Sequence, residues 1–184
     1  MGPQIKTSRL CLRPWHENDW PAFAALNADP RVMEFFPKTL SRDESDAVAN
    51  RIAGAIESRG FGFWAVSAIG VADFIGFVGL SVPRFTTHFT PCVEIGWRLT
   101  FDLWGRGYAT EAARAALDFG FGELKQDEIV AFTVPENLRS RRVMERLGMT
   151  HSPTDDFDHP NIPEGNCCRR HVLYRLSRAA WNPR

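Results

Sequence analysis

The sequence has no excess of either charge. Its 22 basic residues are balanced by 22 acidic residues, so the formal net charge at pH 7 is zero. A protein that binds the phosphate backbone of a nucleic acid needs a basic surface, and we therefore do not expect nucleic acid as the main partner. One local basic run remains, suited to a phosphorylated small molecule, and it consists of Arg139, Arg141, Arg142 and Arg146.

Long apolar segments and spaced cysteine motifs are also lacking. No stretch reaches the roughly 20 apolar residues of a membrane-spanning helix, and the N-terminal residues contain no apolar core of a signal peptide, so no membrane partner is expected. The 4 cysteines include the adjacent pair Cys167 and Cys168 but no Cys-x-x-Cys spacing. That pattern is typical of neither a disulfide framework nor a redox motif. These absences favour a cytoplasmic protein.

What is present fits one globular domain over residues 1–184. The hydrophobic fraction of 44% and the charged fraction of 24% are ordinary globular values, and no internal repeat or long linker divides the chain. Strand-like and helix-like segments alternate, which predicts an α/β or α+β domain. The sequence leaves open whether the chain forms a homodimer.

The alternating segments have recognisable boundaries. Strands are predicted at residues 5–15, 63–69, 74–82, 93–100, 128–134 and 171–177. Helices are predicted after a cap at Asp19, from the capping box Ser41-x-x-Glu44 to Gly60, at 108–124 and at 137–147. Asn137 is predicted to be the N-cap of the last helix, either with that role alone or with a contact to pantetheine as well. Residues 153–166, rich in proline and acidic side chains, are predicted to be a loop.

The most informative segment runs from Glu94 to Ala112, where a strand leads through a short loop and Gly105-Arg106-Gly107 into a helix. Glycines let backbone N–H groups face a ligand without obstruction by side chains. The helix start adds unpaired N–H groups and a partial positive charge. This combination predicts a binding site for a pyrophosphate.

Three interpretations of this glycine loop compete. A dinucleotide fingerprint requires a third glycine where Thr110 stands, and an acidic residue at the end of the next strand, whereas Asp127 and Glu128 begin it. A bare Gly-x-Gly turn is explained by the packing of strand against helix alone. The third interpretation is a loop for the pyrophosphate of coenzyme A.

The segment resembles the acetyl-CoA signature of the GNAT superfamily of N-acetyltransferases, (Gln/Arg)-x-x-Gly-x-(Gly/Ala). It aligns with Trp104, Gly107 and Ala109, and Trp104 departs from the usual first residue. The form Trp-Gly-x-Gly-Tyr-Ala-Thr-Glu-Ala is typical of the branch that resembles ribosomal-protein N-terminal acetyltransferases. A second motif, from Asn137 to Met149, resembles the family's Asn-x-x-(Ser/Ala)…(Leu/Tyr)-x-x-x-Gly-Phe helix.

The resemblance covers nearly the whole chain and implies a fold and a ligand. The fold is a single domain with a mixed, mostly antiparallel sheet of about seven strands and four helices, in which the fourth and fifth strands splay apart around coenzyme A. Backbone atoms of Leu99 are expected to contact the pantetheine arm. The residues that the resemblance assigns to acetyl-CoA binding are Arg98, Leu99, Trp104, Gly105, Arg106, Gly107, Tyr108, Ala109, Thr110, Asn137 and Met144.

The candidate catalytic residues match the family pattern less well than the acetyl-CoA-binding residues do. Many relatives use a tyrosine on the last helix to protonate the leaving thiolate, but Met144 occupies that position. Ser140, on the same helical face, is the candidate replacement, or else an ordinary residue of the first helical turn. Glu94 is the candidate base, or else a strand carboxylate paired with a neighbouring arginine. Backbone N–H groups near Leu99 are candidates to hold the thioester oxygen.

Two further groups of side chains invite functional interpretations. His151, His159, His171, Cys167 and Cys168 fit no standard zinc spacing, so no metal is expected. Core positions are predicted for Phe61, Phe63, Trp64, Phe74 and Phe77. An acceptor cleft, with burial under loops as the alternative, is predicted for Trp15, Phe35, Phe36 and the loop 85–89.

Together these features predict transfer of an acetyl group from acetyl-CoA to a primary amine by direct attack on the thioester. The acceptor is a protein N-terminus or a small-molecule amine. A non-catalytic sensor that binds acyl-CoA is the alternative, because the usual tyrosine is missing. A dinucleotide-dependent oxidoreductase ranks third.

Overall fold

A computed structural model describes residues 3–183; Met1, Gly2 and Arg184, which belong to the predicted domain, lie outside it. The four helices are α1 (Trp20–Ala28), α2 (Arg42–Arg59), α3 (Tyr108–Gly122) and α4 (Leu138–Arg146). The strands are β1 (Ile5–Lys6), β2 (Leu10–Arg13), β3 (Phe63–Ala68), β4 (Ala72–Ser81), β5 (Glu94–Leu99), β6 (Glu128–Thr133), β7 (Thr150–His151), β8 (Phe157–Asp158) and β9 (Arg170–Ser177). No helix between residues 3 and 183 is both long enough and apolar enough to cross a membrane.

The strands form one mixed sheet in the order β1-β2-β3-β4-β5-β6-β9-β7, with β8 paired to β9. Only the β5–β6 pair is parallel among these pairings. The predicted mixed, mostly antiparallel sheet with four helices is confirmed, with nine strands in place of about seven. The first predicted strand is divided by a turn, in which Thr7 N–H donates to the Leu10 carbonyl at 2.9 Å. The two-residue strands β7 and β8 are too short to leave a periodic signal.

The helices cover opposite faces of the sheet. Helix α3 approaches one face closely at Gly120, where a Cβ atom would lie 2.6 Å from Ile129 Cδ1 and 2.9 Å from Leu80 Cδ1. On the other face Phe23 of α1 packs against Phe77 of β4, with ring centroids 6.0 Å apart. Adjacent residues of one strand therefore contact different helices.

The sheet opens between β5 and β6. These strands are in register only at Glu94 and Val130, next to the hydrogen bond from Val130 N–H to the Val93 carbonyl at 2.9 Å. The expected splaying of the fourth and fifth main strands is therefore present. It leaves a gap that reaches from the α3–α4 face to the α1–α2 face.

Local capping signals were accurate for one helix and inaccurate for another. Ser41 and Glu44 form the predicted capping box at the start of α2. Asp19 precedes α1 but makes no side-chain cap hydrogen bond. Its carboxylate instead forms a salt bridge with Arg13 at 2.7 Å and accepts from His16 N–H at 2.8 Å, because a nearby guanidinium binds a carboxylate more strongly than a helix N–H does.

Candidate active site

A cavity of about 590 Å³ occupies the gap between β5 and β6. Its walls combine the second half of β5, the segment 103–110, one side of α4 and part of the α1–α2 connection at 32–36. The cavity therefore joins the glycine loop to Ser140 and to the aromatic residues on the opposite face of the sheet.

The glycine loop has the backbone conformation that only glycine adopts readily. Gly105 has φ +76° and Gly107 has φ +81°, and Gly107 is the N-cap of α3. The N–H groups of Tyr108, Ala109 and Thr110 have no helical carbonyl to accept them, and all three residues line the cavity. The helix start thus presents free donors and a partial positive charge to a ligand there.

The β1–β2 segment fixes this loop from outside. Arg9 donates through Nη1 to the Arg106 carbonyl at 3.0 Å and forms a salt bridge with Glu111 at 2.6 Å. Thr7 Oγ1 also donates to Glu111 at 2.6 Å. The Arg106 side chain is exposed and does not line the cavity. Sequence reasoning missed the support from Arg9 and Glu111, because the two residues are far apart in the chain.

Trp104, the departure from the family signature, braces the end of β5. Its indole N–H donates to the Leu99 carbonyl at 2.8 Å, and Leu99 is 5% exposed. The guanidinium of Arg139 lies 4.9 Å from the Trp104 ring centroid. The Leu99 carbonyl therefore already has a partner within the chain, and the indole holds α4 and the glycine loop close together.

Helix α4 brings Ser140 to the cavity. Asn137 is its N-cap, and the Asn137 Oδ1 accepts from Ser140 N–H at 3.2 Å. The Asn137 amide also donates to Thr133 Oγ1 at 3.0 Å. Trp97 Nε1 donates to Ser140 Oγ at 3.3 Å. The predicted cap at Asn137 is confirmed, and the Ser140 hydroxyl is held at the cavity wall.

The same helix supplies apolar and basic parts of the wall. Met144 is 2% exposed and lines the cavity where many relatives have tyrosine. Arg139, Arg142 and Arg146 also line it. Arg141 points elsewhere, donating to the Tyr174 hydroxyl at 3.2 Å and the Pro135 carbonyl at 3.0 Å.

Glu94 lies at the start of β5, outside the lining of the cavity. Burial raises the pKa of its carboxyl to about 7, against a smaller lowering effect from the neighbouring Ser81 hydroxyl. Glu94 forms no salt bridge within residues 3–183. The alternative in which it pairs with a neighbouring arginine is therefore not seen in this part of the chain.

The Arg98 side chain lies on the α1 side of the sheet. Nη1 donates to Asn27 Oδ1 at 2.6 Å, and the guanidinium carbon lies 4.1 Å from the Phe36 ring centroid and 5.5 Å from that of Phe77. Burial lowers the pKa of Arg98 to about 10. The resemblance had assigned Arg98 to acetyl-CoA binding, but its side chain contacts residues on the α1 side of the sheet and not the glycine loop.

These features together match a known family. Residues 9–150 match the acetyltransferase (GNAT) domain family. The chain belongs to the GNAT family of acetyltransferases. This acetyltransferase is 33% identical to the FsC-acetyl coenzyme A-N(2)-transacetylase of Aspergillus fumigatus, over 97% of this chain and 78% of the relative.

Solved structures show the same fold. A GNAT-family acetyltransferase from Bacillus anthracis is similar with a TM-score of 0.78 and 30% identity, covering 96% of this chain and 99% of that one. The ribosomal-protein-S5-alanine acetyltransferase of Vibrio fischeri has a TM-score of 0.74 and 17% identity, over 98% of this chain and 100% of that one. The second likeness concerns the fold alone.

The aromatic residues of this acetyltransferase are distributed differently from expectation. Phe35 and Phe36 line the cavity, and so do Phe63 and Phe77, which also belong to or pack against the hydrophobic core as predicted. Trp15 is instead packed against Phe23 of α1, with centroids 5.0 Å apart. A strand residue beside a gap has the same apolar character as one in a core, so sequence pattern does not separate them.

The loop 85–89 packs away from the cavity. Phe85 and Phe89 join Phe132 and Phe157 in a separate apolar cluster. His159 and His171 lie beside it, and burial lowers the pKa of both imidazoles. Within residues 3–183 no three histidine, cysteine or acidic side chains come together as a metal site. The predicted acceptor role of this loop is replaced by packing.

Proposed function

We propose that this acetyltransferase transfers an acetyl group from acetyl-CoA to a primary amine by direct attack on the thioester. One observation carries the proposal: a single cavity joins an anion-binding helix start to the Ser140 hydroxyl. The acceptor enters from the α1–α2 face and the acetyl donor from the α3–α4 face. The name of the Aspergillus relative, which specifies acetyl coenzyme A and a nitrogen acceptor, supports this assignment.

The residues present fit coenzyme A. The open backbone at Gly105 and Gly107 and the free N–H groups that begin α3 suit a pyrophosphate. Arg142 and Arg146 along the cavity provide positive charge for phosphate groups, whereas Arg139 forms a salt bridge with Glu34. The gap between β5 and β6 has room for an extended arm beside the backbone of Leu99.

Ser140 is suited to serve the leaving thiol. Acetyl-CoA supplies a thioester whose carbonyl carbon the amine attacks, releasing a thiol with a pKa of roughly 8.5 if it resembles cysteine. The Ser140 oxygen accepts the Trp97 N–H, so its own proton stays available for another acceptor. We propose that the hydroxyl donates a hydrogen bond to the sulfur as the thiolate leaves, and that Ser140 keeps its proton throughout.

Glu94 is proposed as the acceptor of the amine proton. A pKa raised to about 7 suits a base that works near neutral pH. Because Glu94 does not line the cavity, transfer to it requires a bridging water. Gly96, two residues along the same face, lines the cavity and lies against the Phe63 ring.

The sensor alternative is favoured by one observation, the apolar Met144 in the place of the usual tyrosine. Release of free thiol from acetyl-CoA, measured with a panel of primary amines, separates the two functions. Amine-dependent release supports the transferase. Tight binding of acetyl-CoA without any amine-dependent release supports the sensor.

A further inference from the structure

We propose that the acceptor amine carries a carboxylate and that Arg98 binds it. This inference rests on the proposed function and names the class of acceptor for the same cavity. The substrate class is a small molecule with a primary amine and a carboxylate, as in an amino acid.

The Arg98 guanidinium has no acidic partner within residues 3–183, and some of its N–H donors make no hydrogen bond. It makes one hydrogen bond, to Asn27 Oδ1 at 2.6 Å, and its Nε atom is buried without a partner. No carboxylate within residues 3–183 forms a salt bridge with it. An arginine has five N–H donors in a planar fork that matches a carboxylate. Because Arg98 lines the cavity, a ligand bound there lies beside the guanidinium.

Asn27 fixes the guanidinium without neutralising it. Asn27 is fully buried, and its amide donates to the buried Ser45 hydroxyl at 2.9 Å. This chain from α2 through α1 to β5 orients the Arg98 fork. A purely structural arginine is usually compensated by an acidic partner, since an uncompensated buried charge is costly. Because the Asn27 amide is neutral, the positive charge of Arg98 stays available to bind an anionic ligand.

The surroundings strengthen binding of an anion. The rings of Phe36 and Phe77 flank the guanidinium, and its burial lowers the local dielectric and increases charge–charge attraction. Despite burial, the pKa of Arg98 stays at about 10. The guanidinium is therefore still charged at neutral pH.

The position of Arg98 is also right for an acceptor. Adjacent residues of a strand point to opposite faces, so Trp97 contacts Ser140 on the α4 side while Arg98 contacts Asn27 on the α1 side. A carboxylate bound by Arg98 therefore places the acceptor on the side of β5 opposite to Ser140. The amine of that molecule then lies in the gap between the two.

Matched acceptors test the proposal. The kcat/KM for L-phenylalanine and L-leucine is compared with that for their carboxamides, at saturating acetyl-CoA. The carboxamide removes the charge and has the less basic amine, so intrinsic reactivity favours it. We expect the amino acids to be preferred in spite of this. Preference for the carboxamides, or for an aminoalkylphosphonic acid, would overturn the assignment of a carboxylate.

Variants connect that preference to Arg98. Arg98→Gln should lower kcat/KM for the amino acids by about 10- to 100-fold, with little change for the carboxamides. Asn27→Asp, which compensates the charge, should lower the same preference while Arg98 remains in place. Arg141→Gln, which removes a cation that faces away from the cavity, is the matched control. An unchanged preference in both Arg98→Gln and Asn27→Asp contradicts the proposal.

Binding of acetyl-CoA, measured by thermal shift for each variant, separates this inference from the proposed function. Acetyl-CoA binding with turnover of neutral amines alone refutes the carboxylate and leaves the transferase standing. Binding without turnover of any amine in the panel refutes both the transferase and the role of Arg98. A variant without a cooperative thermal transition has lost its fold, and Asn27→Asp then decides the outcome.

Discussion

The indole N–H of Trp97 donates to the Ser140 hydroxyl at 3.3 Å, linking β5 to α4 across the cavity. The bond orients the oxygen and leaves the hydroxyl proton free. The pair also spans the point where β5 and β6 separate. If the Ser140 hydroxyl donates a hydrogen bond to the leaving thiolate, its action depends on both Ser140 and Trp97. Each residue is therefore tested by its own substitution.

Ser140→Ala should lower kcat by about 10- to 1000-fold, since the hydroxyl acts mainly on charge that develops during the reaction. The dissociation constant for acetyl-CoA should stay nearly unchanged. Trp97→Phe should lower kcat by a smaller factor, because the hydroxyl remains but loses its orientation. Steady-state kinetics and acetyl-CoA titration measure both quantities. Ser58→Ala, at an exposed serine of α2, is the control. A kcat within about twofold of the parent enzyme would make Ser140 structural.

A second prediction concerns the glycine loop. Gly107→Glu should abolish the rise in melting temperature that acetyl-CoA gives by mass action, because it places a side chain and a negative charge at the start of α3. NAD should give no rise with either protein. Gly70→Glu is a matched control, because Gly70 has a similar φ of +72° and lies in the β3–β4 hairpin, away from the cavity. If both variants respond to acetyl-CoA as the parent does, the loop does not bind the pyrophosphate.

The sequence predicted what is encoded locally. The glycine loop, the capping box at Ser41 and the cap at Asn137 each depend on a few neighbouring residues, and the structure has all three. The salt bridge between Arg9 and Glu111 depends on the packing of β2 against α3, and no local pattern encodes it.

The rest of the site could not be predicted from the sequence, because the direction in which each side chain points was not known. The resemblance assigned Arg98 to acetyl-CoA binding, yet its guanidinium contacts Asn27 because alternate residues of β5 face α1. Phe63 of β3 and Phe77 of β4 have the apolar character of core residues and also form part of the cavity wall. The position of a gap in a sheet is a property of tertiary packing, which single residues do not reveal.

A third prediction follows from the raised pKa of Glu94. In the unfolded chain the carboxyl titrates near its usual value of 4.5, and in the folded protein burial moves the pKa to about 7. The folded state therefore binds the proton more tightly, and stability is lost as the pH rises from about 4.5 through 7. Glu94→Gln removes this loss, so its melting temperature should rise relative to that of the parent between pH 5 and pH 8.

Thermal melts of both proteins across this pH range measure the difference. Glu57→Gln, at an exposed residue of α2, is the control for the loss of one carboxylate. A constant difference between Glu94→Gln and the parent would show that Glu94 is not held protonated. Loss of kcat in Glu94→Gln at pH 8 would in addition support its role as the base.

The last prediction concerns which amine reacts, and rests on the fraction of each amine that is neutral. A peptide α-amino group, with a pKa near 7.7–8.0, is roughly a tenth neutral at pH 7, whereas a lysine side chain with a pKa of about 10.4 is neutral in a few molecules per ten thousand. A strong base or a desolvating site must supply that difference of two to three powers of ten. Here the one candidate base, Glu94, lies outside the cavity lining, and Met144 replaces the usual tyrosine.

Near neutral pH we therefore expect α-amines to outcompete lysine side chains. One peptide with its N-terminus blocked is compared by kcat/KM with the same peptide with its lysine blocked. Free lysine, which has both amines and a carboxylate for Arg98, extends the comparison when the site of acetylation is read by mass spectrometry. Because the carboxylate is adjacent to the α-amine, both the neutral fraction and Arg98 favour acetylation there. Preference for the side chain in both experiments would show that a stronger base serves the cavity, and would leave the assignment of acetyl-CoA intact.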